Sequence, residues 1–133
     1  MKPFLSGVGV FVVTATIASC WNPFAPDQAV VLGVTQLDAP ATISTGSPLT
    51  VVLTVVTGGC KSFDHIEAQR QAASASLTAW GRDGAKGRKD IMCPDNIVYE
   101  PHSYRFEPPF QSPFTVTVNR GRLSPLIATV QVQ

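Results

Sequence analysis

The stretch "LTVVLTVVT" (49–57) contains only Leu, Val and Thr. β-branched side chains are stiff at χ1 and pack well on a pleated surface. Nine such residues without a Gly, Pro or charge read as the central strand of a packed sheet. "GGC" (58–60) ends it. Before it, "VVLGVTQLD" starts at Val30, is rich in branched residues and is broken by Ala39-Pro40. "ATISTGSP" (41–48) reads as a turn region.

Beyond it, "SASLTAWG" (74–81) sets Ala75, Leu77 and Ala79 against Ser74, Ser76 and Thr78, the alternation of a half-buried strand. Trp80 falls on the polar-facing register there, so it either caps an edge of the core or makes a surface contact. "NIVYE" (96–100) and "SYRFE" (103–107) each give a short strand, with Tyr104 and Phe106 inward. "PPFQSP" (108–113) is a rigid connector. "FTVTVNRGR" (114–122) puts Phe114, Val116 and Val118 on one face, and "NRG" reads as a hairpin turn. "LIATVQVQ" (126–133) closes the chain with Leu126, Ala128, Val130 and Val132 inward.

Residues 61–73, "KSFDHIEAQRQAA", look different. Phe63 and Ile66 stand three apart with charges between them. That spacing reads as a short helical turn, or as a loop crossing between sheets. With eleven Pro and ten Gly spread along 133 residues, no long helix is expected. The sum is about seven strands, all-β, and the expected fold is a single two-sheet β-sandwich.

The N-terminus reads as a targeting segment rather than fold. "MKPFLSGVGVFVVTATIASC" (1–20) has Lys2, then apolar and small residues, and no acid before Asp27. This is the layout of a secretory signal peptide. Its densest apolar run, Val8 to Val13, is far short of the roughly 20 residues a span needs. "Ile17-Ala18-Ser19-Cys20" resembles a bacterial lipobox, with Ile where Leu is commonest. The resemblance implies thiol lipidation of Cys20, cleavage just before it, and acylation of the new N-terminus. The plainer reading is an ordinary signal peptide with a chance Cys near its cleavage site. Two or more acyl chains make anchoring stable, at about 0.8 kcal/mol per buried CH₂. Trp21 stands where an inner-membrane lipoprotein would carry Asp, so the resemblance favours the outer membrane, facing the periplasm or the cell surface. The organisation expected is a signal peptide over 1–19, a lipidated Cys and Pro-containing tether over 20–29, and the β domain over 30–133.

Three Cys is an odd number. If Cys20 carries lipid, Cys60 and Cys93 remain as an even pair, and export places them where disulfides persist. Two separate buried thiols are the alternative. A metal site would need more ligands: His65 lies near Cys60, but no His or second Cys lies near Cys93.

Charged residues make up only 14% of the chain. Cleavage would remove Lys2 and leave nine basic and nine acidic side chains. Net charge then steers nothing, and a nucleic-acid partner is not expected. The sequence holds no Gly-x-Ser-x-Gly elbow and no Ser-x-x-Lys. Its two His, His65 and His102, each lie near a carboxylate (Asp64 and Glu67; Glu100), which is common on solvated loops. "GRDGAKGRK" (81–89) lacks the Gly-Lys-Ser/Thr of a phosphate cradle. No catalytic residue, cofactor or metal site is expected.

Two segments are candidates for partner contact. Arg82, Lys86, Arg88 and Lys89 oppose only Asp83 and Asp90 around one polar, Gly-punctuated loop. They would suit lipid headgroups, glycan or an acidic protein patch; a solvated tip is the simpler reading. In "YRFEPPFQSPF" (104–114), Phe110 lies between Pro109 and Gln111. It either plugs the open end of the sandwich or stands out as an anchor.

A strand ending in Gly-Gly-Cys, a second Cys about thirty residues on, then "Y…F…P" and "FTVTVN-x-G" is similar to two-cysteine, immunoglobulin-like or fibronectin-like sandwich domains of bacterial envelope proteins. The likeness covers roughly 48–121, with "SPF" where Gly-Thr-Tyr is typical. It implies a fold and no activity. The expected function is a membrane-anchored, non-enzymatic binding or accessory subunit of an envelope assembly. The alternative is a small inhibitor or ligand carrier for a protease, lysozyme or metal.

Overall fold

In the computed structural model, which describes residues 28–133, the Leu/Val/Thr run is one strand, Leu49–Thr57. Leu49, Val51, Leu53, Val55 and Thr57 are buried, and the residues between them are not. The described chain holds nine strands and no helix. In order they are β1 (Gln28–Val31), β2 (Val34–Asp38), β3 (Thr42–Ile43), β4 (Leu49–Thr57), β5 (Lys61–Arg70), β6 (Ser74–Asp83), β7 (Val98–Phe106), β8 (Phe114–Arg120) and β9 (Leu123–Val132). Cys20, the signal-peptide reading and residues 20–27 of the tether lie outside the described residues.

The strands form two sheets. One has three strands in the order β2-β4-β7, with β4 central as its composition predicts. The other has six: β5 takes one edge of β6, while β8 and β1 share the other, followed by β9 and β3. Both sheets feed one core. Val34, Leu49, Leu53 and Phe106 come from the first; Leu77, Phe114, Val116 and Val130 come from the second. The inward residues expected on 74–81, 104–106, 114–118 and 126–132 are buried or half-buried.

Residues 61–70 are a strand, not a helical turn or a crossing loop. The reason lies at Asp64. β5 pairs antiparallel with β6, and the register slips between Phe63 (opposite Gly81) and His65 (opposite Trp80). Asp64 is the extra residue of a β-bulge. The bulge shifts the two-residue period by one, so Phe63, Ile66 and Ala68 share the inner face. A spacing of three that imitates a helix is thus period two plus one inserted residue.

The strand count also rises from about seven to nine for local reasons. Leu32 and Gly33 carry the chain from one sheet to the other, so the first apolar run becomes β1 and β2. Thr42 and Ile43 make a short parallel pair with Gln131 and Val132. Conversely, the two short strands expected around 96–107 are one, β7, despite Pro101. β7 is an edge strand, where a missing N–H can face solvent without loss.

Besides the short β3–β9 pair, a second parallel pairing sets this topology apart from fully antiparallel sheets. β6 and β8 run parallel, with Ser74 opposite Thr115 and Leu77 opposite Val118. A parallel pair needs a crossover. Here the crossover passes through β7 in the other sheet.

Trp80 lies half-buried on the outer face of β6, where its Nε1–H donates to Glu67 Oε2 at 2.9 Å. It is not a core tryptophan. Its neighbour Gly81 faces inward. A Cβ there would lie 2.4 Å from the Ser62 carbonyl oxygen and 2.6 Å from Leu32, so Leu32 occupies the space a side chain would need.

Candidate functional site

Cys60 and Cys93 are joined by a disulfide, with Cα atoms 5.2 Å apart and a separation of 33 residues in sequence. It sits at the pole where β4 ends, β5 begins and β6 ends. The preceding Gly-Gly is dictated by what crosses it. Gly58 has φ +105°, and a Cβ on it would lie 2.3 Å from the Asn96 carbonyl oxygen. Gly59, with φ +61°, donates its N–H to Asn96 Oδ1 at 2.8 Å. The 84–97 connection is therefore fixed to β4–β5 by the disulfide, by the Asn96 side chain and by Gly84 N–H to the Cys60 carbonyl at 3.0 Å.

The four basic candidates all belong to this pole. Arg82 is on β6 itself, with its guanidinium 3.8 Å from the carboxylate of the bulge residue Asp64. Asp64 also accepts from His65 Nδ1 at 2.9 Å. Lys86, Arg88 and Lys89 are exposed on the connection that follows. Asp83 turns that segment by accepting from Ala85 N–H at 3.0 Å. The β8–β9 hairpin reaches the same pole. Arg120 and Leu123 line one cleft with Gly33, Thr57, Cys60 and Asn96. Gly121, with φ +63°, makes the tight turn expected for "NRG".

Phe110 is elsewhere. It lies at the opposite pole, beyond the other ends of β5 and β6, so it cannot share a surface with the basic loop. It is half-buried, edge-on to Phe114 with ring centroids 4.9 Å apart. The Arg70 guanidinium carbon lies 4.5 Å above its ring, and the same group donates to the carbonyls of Glu107 and Pro109. Arg70 thereby clamps the 107–111 turn, which also carries Gln111 N–H to Ala72 O at 3.0 Å.

A third group, at the seam between the sheets, does not stand out as a site in the sequence. Glu100 and His102 face inward on β7, on the same side as Tyr104 and Phe106. Thr57 Oγ1 donates to Glu100 Oε1 at 2.7 Å, and His102 Nε2 lies 3.0 Å from Glu100 Oε2. These bonds, His102 first and Thr57 second, hold the Glu100 carboxyl below its ordinary value of 4.5. The hydroxyl and the imidazole both point at the carboxylate and not at each other. Thr57 is also only 6% exposed. The carboxylate thus bridges the hydroxyl and the imidazole, and each of the three side chains finds a partner within the group. The signal that could reveal it is the alternation of Tyr104 and Phe106, continued back through His102 and Glu100.

Among the described residues, no cluster of His, Cys, Asp and Glu is set to hold a metal ion. No helix there is long and apolar enough to cross a membrane. Comparison of the chain with protein-family models, curated proteins and solved structures finds no match.

Proposed function

We propose that this chain is a membrane-anchored, extracytoplasmic binding or accessory module, held to the bacterial envelope through an acylated Cys20, with a disulfide-closed, immunoglobulin-like sandwich as its working part. One observation carries the reading: Cys60 and Cys93 are bonded to each other. That pairing suits an oxidising compartment and leaves Cys20 as the one remaining thiol, at the end of an apolar leader. The sandwich assignment draws on two sheets sharing one core, and the parallel β6–β8 pair would make it a variant of that architecture. The binding role draws on the free outer edge of β5, ten residues long, which among the described strands pairs only with β6.

Mass spectrometry of the chain extracted from native membranes tests the anchor. An N-terminus at an acylated Cys20 is expected; a free Cys20 thiol or a different cleavage point removes the reading. Crosslinking in intact membranes tests the accessory role, which requires a reproducible envelope partner. The alternative, an inhibitor or ligand carrier, is favoured by the cleft between Gly33–Thr35 and Cys60, Asn96 and Arg120. It requires a melting-temperature shift with some ligand or inhibition of some hydrolase.

A further inference from the structure

Of the five large apolar side chains at least 60% exposed among the described residues, four are concentrated; the fifth, Ile127 at 64%, lies mid-strand on β9 opposite Thr117. Met92 is 96% exposed, Ile97 68%, Leu123 62% and Tyr99 60%. All four belong to the disulfide pole. Met92 adjoins Cys93, Ile97 and Leu123 line the cleft there, and Tyr99 is paired with Val56 near the end of β4. Charge is segregated the same way. Lys61 and the β8–β9 turn residues Arg120 and Arg122 join the loop cations at this pole, while among the described Lys and Arg only Arg70 and Arg105 lie toward the other. Asp64, Asp83, Asp90, Asp95 and Glu100 oppose them only in part. A chain with balanced overall charge thus carries a basic, apolar end.

The chain also enters the fold at this end. Gln28 pairs with Asp83, and its side-chain nitrogen lies 3.5 Å from where a Cβ of Gly87 would stand. Eight peptide units separate Cys20 from Gln28, a reach of at most roughly 25–30 Å. Exposed apolar groups rimmed by cations mark a contact surface. A contact surface this close to an acylated residue meets the bilayer first.

We propose that the disulfide pole rests on the membrane. Met92, Ile97 and Leu123 enter the boundary between headgroups and acyl chains, the Tyr99 ring sits at headgroup level, and Lys86, Arg88 and Lys89 meet anionic phosphodiesters. The Arg70–Phe110 pole then faces away, and the outer edge of β5 runs from one pole to the other along the side of the domain. The inference rests on the anchored reading for its direction of approach, while the pole's composition stands independently of it.

Amide hydrogen exchange on the protein as purified from native membranes, its N-terminal mass determined on the same sample, tests this. The vesicles are phosphatidylcholine alone, or phosphatidylcholine mixed with phosphatidylglycerol. Slower exchange over 86–99 and 121–124 is expected on the anionic vesicles, with no change over 70–72 and 107–111. Near an anionic surface each cation is worth about five-fold in occupancy, so K86S/K89S should lose at least about ten-fold of the added protection. M92S/I97S/L123S should lose protection while its core amides stay protected, since these side chains lie outside the core. Equal exchange on the two vesicles overturns the proposal. So does protection that appears only when other envelope proteins are present, which would make the pole a protein-docking face. N-terminal mass separates the two failures: an acylated Cys20 with an unprotected pole leaves the anchor standing, and an unmodified Cys20 with a protected pole leaves the membrane face standing.

Discussion

The imidazole of His102 lies flat against the ring of Phe63, with centroids 3.5 Å apart and planes 17° from parallel. Phe63 comes from the edge of the six-stranded sheet and His102 from the edge of the three-stranded one. The stack therefore closes the seam between two open edges, with the Glu100 carboxylate behind it.

This seam makes stability depend on acid. Glu100 is held below 4.5 in the folded chain by His102 and then Thr57. A carboxyl depressed on folding adds stability that is complete above its unfolded pKa and is lost as pH falls through its folded one. Urea midpoints at neutral pH and at about pH 3 should show E100Q closer to wild type in acid than at neutrality. An equal gap at both would mean that the carboxylate charge contributes nothing.

The disulfide closes a long loop in the unfolded chain. Reduction, or the double substitution C60A/C93A, should lower unfolding free energy by roughly 3–4 kcal/mol. Denaturant melts of oxidised and reduced protein measure it directly.

Gly81 has no room for a methyl group, because backbone from Ser62 and the side chain of Leu32 meet there. G81A should cost about 1–3 kcal/mol through overpacking. G33A is the control, with only ordinary contacts at 3.8 Å to Val56. Thermal melts of the pair should separate them.

Arg70 acts by shape as well as charge. It covers the Phe110 ring and its two terminal nitrogens donate to two carbonyls of one turn. R70A should lose about 1–3 kcal/mol, and R70K should recover little of it, because an ammonium has no planar fork. Chemical denaturation of both variants, with exchange measured over 107–111, distinguishes the clamp from simple charge.

Strands whose burial follows an unbroken two-residue period are legible in the sequence alone. β4, β6, β8 and most of β9 are of that kind, and their inward residues follow directly from alternation. Two features disturb the pattern. At Asp64 one inserted residue turns alternation into an apparent helical spacing. At Pro101 a residue that usually ends strands persists because its strand is an edge. Taken as a break, Pro101 splits β7 in two and conceals the inward register of Glu100 and His102. The basic loop is visible from composition. Its alliance with Arg122, Leu123 and Ile97 is not, since only the folded topology brings the β8–β9 turn to the disulfide pole.

The four residues of β1 run antiparallel to the end of β6, with Gln28 opposite Asp83 and Val31 opposite Trp80. A pull on Gln28 away from the disulfide pole is therefore directed along the strand axis. It loads the ladder in shear, so its hydrogen bonds resist together instead of parting one at a time. Behind them Leu32, 2% exposed, must leave the core before the chain can yield further. Tension applied at Gln28 would thus meet the β1–β6 ladder in shear, and then the burial of Leu32, before it reached β2.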